Sequence, residues 1–376
     1  MSEYQYYEFR AIDRPLTAEE QRAIGKLSSR VNLSPVHASF VYNYGDFPGR
    51  AEDVLTRYFD AMFYIANWGS RQLMFRFPKT AVDLEQIQPY FQPPVVVEEF
   101  MSLTQQGEYV VLNIAWYEEE ADWGWVEGEG WLPRLMSLRD EILQADYRLL
   151  YLAWLNAITL EPEVLDTVEE PPVPPGLRRL STGLQAFIER FDLDEHLVAA
   201  AAEASGSPDT ISEAQLRQAI NRLSPQDQAA WLLRLAQGQE PQLAVAFNRE
   251  LLTRLDRPQA APPARRTIGE LLAAAERIEK AVSAQRAAEA QAQHLKKMEA
   301  LAAREGQLWQ EVIDLIKQKK SNAYDQAVAH LQDLRDLAQH QGEEVAFQSR
   351  LNRIYRDYRS LSALRQRLRS AKLDEM

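Results

Sequence analysis

The stretch that most restricts the fold of this chain is residues 51–78, AEDVLTRYFDAMFYIANWGSRQLMFRFP. Apolar and aromatic residues up to Trp68 cover more than one helical stripe, so the pattern predicts a helix buried on most sides. Gly69 follows the last periodic residue, where glycine most easily forms a left-handed cap. Residues 72–77 then predict a short strand that ends before Pro78. The stretch predicts the centre of a core and indicates no chemistry.

Polar side chains on this predicted helix need partners because most of its surface is expected to be buried. Arg57 and Asp60 lie three residues apart, and Asn67 and Arg71 flank the end of the helix. These residues predict either a structural pair and a cap or a small-ligand pocket near residues 67–71.

Strands alternate with helices through the first 160 residues. Strands are predicted at 5–12, 39–44, 95–103 and 108–117, the last two as a hairpin. Thr17 and Glu20 predict a capping box at the start of a helix that runs to about residue 30. Residues 131–160 predict one long helix. This order predicts the α+β class, with an N-terminal mixed β-sheet with packed helices.

Two proline-rich segments divide the chain into predicted domains. Residues 161–175 form an acidic linker, expected to be solvated, and residues 257–264 form a Pro/Ala linker. They separate an α+β sheet domain (1–160), a helical domain (176–256) and a long helix with a helical hairpin (265–376). Residues 268–320 predict one long coiled-coil-like helix, although its apolar seam changes phase near residues 285–296.

Composition excludes several classes of protein. The 376 residues include no cysteine, which excludes disulfides and thiolate chemistry. No apolar run predicts a signal peptide or a membrane span, so we expect a bacterial, cytoplasmic protein. The net charge of −13 combines 13 Lys/Arg against 23 Asp/Glu in residues 1–160 with 20 against 16 in residues 265–376. The N-terminal part of the chain is therefore acidic and the C-terminal part is basic.

Motifs of catalysis and cofactor binding are missing from the sequence. It contains no glycine-rich phosphate loop, no dinucleotide fingerprint and no nucleophile elbow. None of the five histidines has a second histidine at metal-ligand spacing, so solvated or capping roles are expected for them. The sequence therefore predicts no enzyme activity and no cofactor.

Residues 116–131 combine tryptophans and acids without a basic residue. The candidate partner-binding residues are Trp123, Trp125, Glu118, Glu119, Glu120, Glu127 and Glu129. Exposed tryptophans would anchor a protein partner and the carboxylates would steer it. Alternatively, the acids would bind Mg²⁺ or Ca²⁺, or the tryptophans turn inward as core and the acids form a solvated face.

The C-terminal region carries a run of cations opposed only by Asp357. These candidate residues are Arg350, Arg353, Arg356, Arg359, Arg365, Arg367, Arg369 and Lys372. Steps of three residues place arginines along one helix face, which suits contacts with phosphates. The same face would also suit docking on an acidic protein surface, or simple solvation.

Three phrases carry a resemblance to a known family: DYRLLYLAWL at 146–155, EPPVPPGL at 170–177 and AYDQAVAHLQDLRDLA at 323–338. Together they resemble an uncharacterised bacterial protein family associated with neighbours that carry SWIM-type zinc fingers. The resemblance implies no activity and no site residue. Because the finger needs cysteines and this chain has none, the chain is not the zinc-binding member.

These observations favour a non-catalytic interaction or scaffold protein of a bacterial multiprotein system, with a protein partner. The first alternative is a nucleic-acid-associated accessory protein that uses the basic C-terminal helices. The second is an enzyme with an unrecognised carboxylate site. We expect no membrane association, and the long helix offers a route to an oligomer.

Overall fold

The computed structural model describes residues 4–43, 45–91, 100–117, 127–159, 168–207, 212–237, 243–255 and 266–373. The chain divides into two compact units, Met1–Glu279 and Lys280–Met376. The first contains the sheet and the helices packed on it, and the second is helical. The predicted α+β class, with a helical C-terminal region and a long helix, is confirmed.

Seven strands form one sheet in the first unit. They are β1 Gln5–Arg10, β2 Asn32–Ser34, β3 His37–Tyr42, β4 Ala61–Ala66, β5 Arg71–Pro78, β6 Met101–Gln106 and β7 Tyr109–Trp116. Their order across the sheet is β2-β3-β1-β4-β5-β7-β6. All the described strand pairings are antiparallel, so the sheet is antiparallel where the sequence had suggested a mixed one.

The predicted long helix in residues 51–68 is wrong. Helix α2, Ala51–Tyr58, ends there, and residues 61–66 form strand β4, which lies between β1 and β5. Alternate β4 side chains enter the two opposite hydrophobic cores, Phe63 on one face and Met62 on the other. A strand buried on both faces is apolar at every position, which imitates a fully buried helix.

Gly69 is therefore not a helix cap. It lies in the turn between β4 and β5 with φ of 100°, a conformation that glycine adopts without strain. The strand predicted after it is confirmed, and its observed bounds are those of β5.

Helices cover both faces of the sheet. On one face, the core includes α4 Trp131–Leu135, α5 Ser137–Leu143, α6 Arg148–Ile158, α7 Thr182–Phe191 and α8 Glu195–Ala204. On the other face lie α1 Ala18–Gly25 and α2. The predicted capping box of α1 is confirmed, because the side chains of Thr17 and Glu20 each accept the other's backbone amide. A short helix, α3, spans Leu84–Ile87.

The single helix predicted over 131–160 is three helices, α4, α5 and α6. The chain turns between α5 and α6, where Ala145 has φ of 63°. A right-handed helix needs a negative φ at every residue, so it cannot continue through Ala145. The apolar periodicity continues across the break because all three helices bury residues in the same core.

The described part of the predicted acidic linker, residues 168–175, is not simply solvated. Glu170 is buried, where it accepts the Arg266 guanidinium at 2.9 Å and the Tyr151 hydroxyl at 3.0 Å. Glu169 forms a bridge with Thr267. Burial raises the pKa of Glu170 although the pair with Arg266 opposes this effect.

Three further helices of the first unit surround a small core of their own. They are α9 Glu213–Asn221, α10 Pro225–Gln237 and α11 Leu243–Thr253. Ala219, Leu223 and Leu251 are buried between them, and Trp231 packs on Phe247 with ring centroids 5.1 Å apart.

The long helix α12, Ile268–Ala303, begins in the first unit and ends in the second. The second unit continues with α13 Glu305–Lys317, α14 Ser321–Gln341, α15 Glu344–Asp357 and α16 Ser362–Ser370. The helix predicted over 268–320 is thus interrupted at Arg304. The predicted helical hairpin corresponds to α14 and α15, which are joined at Gly342 with φ of 71°. Pairing of α12 as a coiled coil stays a prediction.

Candidate functional site

A groove of about 810 Å³ lies between α14, α15 and residues 372–373 of the second unit. Its apolar lining comes from Ala338 of α14, from Val345, Phe347 and Leu351 of α15, and from Leu373. The lining residues of α15 include positions three and four apart between residues 344 and 356, and residues at this spacing share one face of a helix. The groove therefore has the concave form and the apolar lining that are typical of binding sites.

Cations outnumber acids around this groove. Arg335, Arg356 and Lys372 line it, and Glu344 is the one acidic lining residue described. Arg335 donates to Asp336 at 3.0 Å. Arg356 and Lys372 are exposed and form no ion pair with any residue that the structure describes. Their charges are available to an external anion.

The eight predicted C-terminal cations do not share one helix face. Arg350 donates to Glu305 at 3.0 Å and lies over the Trp309 ring. Arg356, two steps of three residues further along α15, lines the groove. Steps of three residues fall 60° short of a full turn each time, because a helix turns about 100° per residue, so successive arginines move around the helix.

Of the other arginines, Arg353 lies in α15, Arg359 follows α15, and Arg365, Arg367 and Arg369 lie in α16. Arg367 donates to Asp325 and to the Ser321 hydroxyl, both at 2.6 Å, and therefore ties α16 to α14. Arg353, Arg359 and Arg369 are exposed outside the groove, and Arg365 is half-buried. No ion pair links these four arginines to a described residue. Arg350 and Arg367 thus have structural partners, and the other cations keep their charge accessible.

Most of the predicted tryptophan–acid site lies outside the described residues, namely Trp123, Trp125, Glu118, Glu119 and Glu120. Glu127 and Glu129 are described, and both are exposed. Partner binding by these residues stays a prediction.

The two described tryptophans of that stretch are partly buried. Trp116 packs against Phe100, with ring centroids 5.2 Å apart. Trp131 lies beneath the guanidinium groups of Arg134 and Arg190, 4.4 and 5.0 Å from its centroid. These two side chains follow the inward alternative.

The polar residues near 67–71, for which a ligand pocket was one alternative, form structural contacts within the protein. The Asn67 side chain accepts the Tyr4 amide at 2.9 Å, and Arg71 donates to the Phe191 carbonyl at 3.2 Å. Asp60 pairs with Arg76 rather than with Arg57, because it lies beyond the end of α2. These side chains join strands and helices.

Sequence reasoning missed a polar cluster on the sheet. Glu8 on β1 is buried and its carboxylate is 3.1 Å from Arg10 and 3.3 Å from the His37 imidazole on β3. It also accepts the Tyr6 hydroxyl at 3.2 Å. Burial raises the pKa of Tyr6, and the Glu8 charge raises it further. The two-residue period of a strand places Tyr6, Glu8 and Arg10 on one face of β1. Only the pairing of β1 with β3 brings His37 beside Glu8.

No metal centre or membrane span is found in the described parts of the chain. Among these residues, no three or more His, Asp or Glu side chains are grouped so that they could hold a metal ion. No described helix is long and apolar enough to cross a membrane. The chain shows no match to protein-family models, to curated proteins or to solved structures.

Proposed function

We propose that this protein is a non-catalytic interaction protein, and that the groove between α14 and α15 binds an acidic, partly apolar segment of a partner protein. The observation that carries the proposal is the pair of accessible cations, Arg356 and Lys372, beside the apolar lining of Phe347 and Leu351. A cytoplasmic location in a bacterial multiprotein system belongs to the same proposal.

The two chemistries of the groove support a peptide ligand. Val345, which is 86% exposed, and Phe347 would accept aliphatic or aromatic side chains. Arg356 and Lys372 would pair with carboxylates. Burying a cation beside an apolar surface strengthens its pairing, because water competes less there. An acidic segment that lacks apolar residues would use only half of the site.

Nucleic acid is the second candidate because three exposed arginines lie outside the groove. Arg353, Arg359 and Arg369 would add phosphate contacts over a wider surface than the groove. A peptide would depend on the cations of the groove, and a nucleic acid would depend also on the arginines outside it. Variants of each set of cations therefore distinguish the two functions.

The test is fluorescence anisotropy with the full-length protein and three labelled probes. The first is a synthetic peptide of alternating Glu/Asp and Leu/Phe, the second has serine at every apolar position, and the third is a DNA or RNA oligonucleotide. The groove variant is Arg356→Glu with Lys372→Glu. The matched control, Arg353→Glu with Arg359→Glu, makes the same charge change outside the groove.

We expect the first peptide to bind, and to bind about tenfold more weakly to the groove variant but equally to the control. The serine peptide should bind more weakly than the first. The proposal fails if neither peptide binds or if both variants lose binding alike. Oligonucleotide binding that falls steeply with salt and is lost in the control variant would favour the nucleic-acid function instead.

A further inference from the structure

Helix α10 exposes an apolar face that no described residue covers. The exposed fractions of Leu232 and Leu233 are 66% and 60%. The opposite face of the helix carries Trp231, which packs on Phe247 in the small core of α9, α10 and α11. The helix is thus held on one side, while its other side places large apolar side chains in water, which is unfavourable unless a partner covers them.

The exposed face has a symmetric sequence. Ala229, Leu232, Leu233 and Ala236 are all exposed and follow the spacing i, i+3, i+4 and i+7, which forms one stripe along a helix. We call these four residues the α10 stripe. The pattern Ala-x-x-Leu-Leu-x-x-Ala is the same in both directions, with its centre between Leu232 and Leu233. Leu235 lies about 110° around the helix from the middle of this stripe.

A stripe that is unchanged by reversal is complementary to a second copy of itself. In a two-fold interface the same patch on both subunits must fit itself, and two antiparallel helices meet this condition. Around the centre of the α10 stripe, Leu232 of one copy would face Leu233 of the other. Ala229 would face Ala236, and these small residues at both ends would let the helices approach closely.

Charge does not oppose this pairing. Asp227 and Arg234 are the charged residues of α10. The Asp227 side chain accepts the Ser224 hydroxyl at 2.7 Å at the start of the helix. The Arg234 guanidinium lies over the Trp231 ring, 4.2 Å from its centroid, on the face away from the stripe. A charged or strongly polar partner would gain little from this surface, and a second apolar stripe would gain most.

We infer that this protein forms a two-fold dimer in which α10 packs antiparallel against α10 of a second copy. Helix α10 has 13 residues and is about 20 Å long, so the contact is smaller than a standard interface and the dimer is weak and concentration-dependent. This places the contact between copies on α10 instead of on the long helix α12. The inference does not depend on the proposed function of the groove.

Sedimentation velocity of the full-length protein from low to high micromolar concentration tests the dimer. We expect the average mass to rise toward twice the monomer mass, and Leu232→Glu with Leu233→Glu to remain monomeric throughout. Leu235→Glu is the control, because it adds charge to the same helix away from the stripe, and it should dimerise like the wild type. Since Leu232, Leu233 and Leu235 are all exposed, the thermal melts of these variants should agree. A monomer at every concentration, or a dimer that survives the double substitution, would overturn the inference.

Cysteine cross-linking tests the antiparallel arrangement, and the natural chain has no cysteine to interfere. Ala229 and Ala236 are seven residues apart, about 10.5 Å along the helix. In the antiparallel dimer, Ala229→Cys alone or Ala236→Cys alone places the two thiols too far apart for a disulfide, which needs Cα atoms within about 7 Å. An equimolar mixture of the two variants should cross-link on mild oxidation. Cross-linking of each variant alone but not of the mixture would show a parallel pair and contradict the arrangement.

Discussion

Asp60 accepts the Arg76 guanidinium at 2.6 Å, and both side chains are buried where strands β4 and β5 lie side by side. The same carboxylate accepts the backbone amides of Ile12 and Asp13 at 2.6 and 2.9 Å. One side chain therefore joins the segment after β1, the start of β4 and the C-terminal half of β5. This explains why the chain leaves α2 just before Asp60 and enters the sheet.

The first prediction concerns this pair. Asp60→Asn should lower the free energy of unfolding by about 3–5 kcal/mol, because it leaves the Arg76 charge buried without its partner. Urea unfolding of the full-length chain, followed by tryptophan fluorescence, measures the change. Asp53→Asn is the control, since Asp53 is an exposed acid on α2, and it should change the free energy by less than about 0.5 kcal/mol. Equal effects of the two substitutions would contradict the structural role of Asp60.

The second prediction concerns Gly128 in the tryptophan–acid stretch. A Cβ atom at this position would lie 2.4 Å from Cδ1 and 2.6 Å from Cβ of Tyr6, whose buried side chain cannot move away easily. Gly128→Ala should therefore destabilise the protein by about 1–3 kcal/mol. A Cβ atom at Gly306, in α13, would meet no atom within 4 Å, so Gly306→Ala should stabilise by about 0.5–1 kcal/mol. Thermal unfolding of both variants should show a lower melting temperature for Gly128→Ala and a higher one for Gly306→Ala. An unchanged melt for Gly128→Ala would show that residues 127–130 do not pack on Tyr6.

The third prediction concerns pH. Two hydrogen bonds from Arg14, at 2.6 and 2.8 Å, lower the pKa of Glu20 from 4.5 to about 2. A carboxylate with a lowered folded-state pKa stabilises the protein above its unfolded pKa, and this contribution is lost as the pH falls through the folded pKa. Glu20→Gln should therefore cost at most about 1 kcal/mol at pH 7, and the difference from wild type should shrink below about pH 4.5.

Urea denaturation between pH 3 and pH 7 measures this difference. The control is Glu19→Gln, which removes an exposed charge from the same first turn of α1. Its difference from wild type should be smaller, because Glu19 has no ion pair with a described residue. A constant difference for Glu20→Gln over the whole pH range would show that the Arg14 pair contributes nothing.

The candidate groove was only partly predictable from sequence. The predicted run of C-terminal cations lies in the region of the groove, because charge can be counted along a chain. The sequence could not separate Arg350 and Arg367, which pair with Glu305 and Asp325, from Arg356 and Lys372, which line the groove. The partners of Arg350 and Arg367 lie more than 40 residues away in sequence, so only the packing of the helices assigns them.

The sequence alone determined the features whose cause is local. The Thr17–Glu20 capping box, the strand after Gly69 and the hairpin of β6 and β7 around Gly107 each depend on residues within a few positions. The α+β class followed because the apolar period changes from two to 3.6 along the chain. The tertiary structure decided the conformation of residues 59–66. A run that is apolar at every position suits a buried helix and a central strand equally, and the backbone hydrogen bonds to β1 and β5 selected the strand.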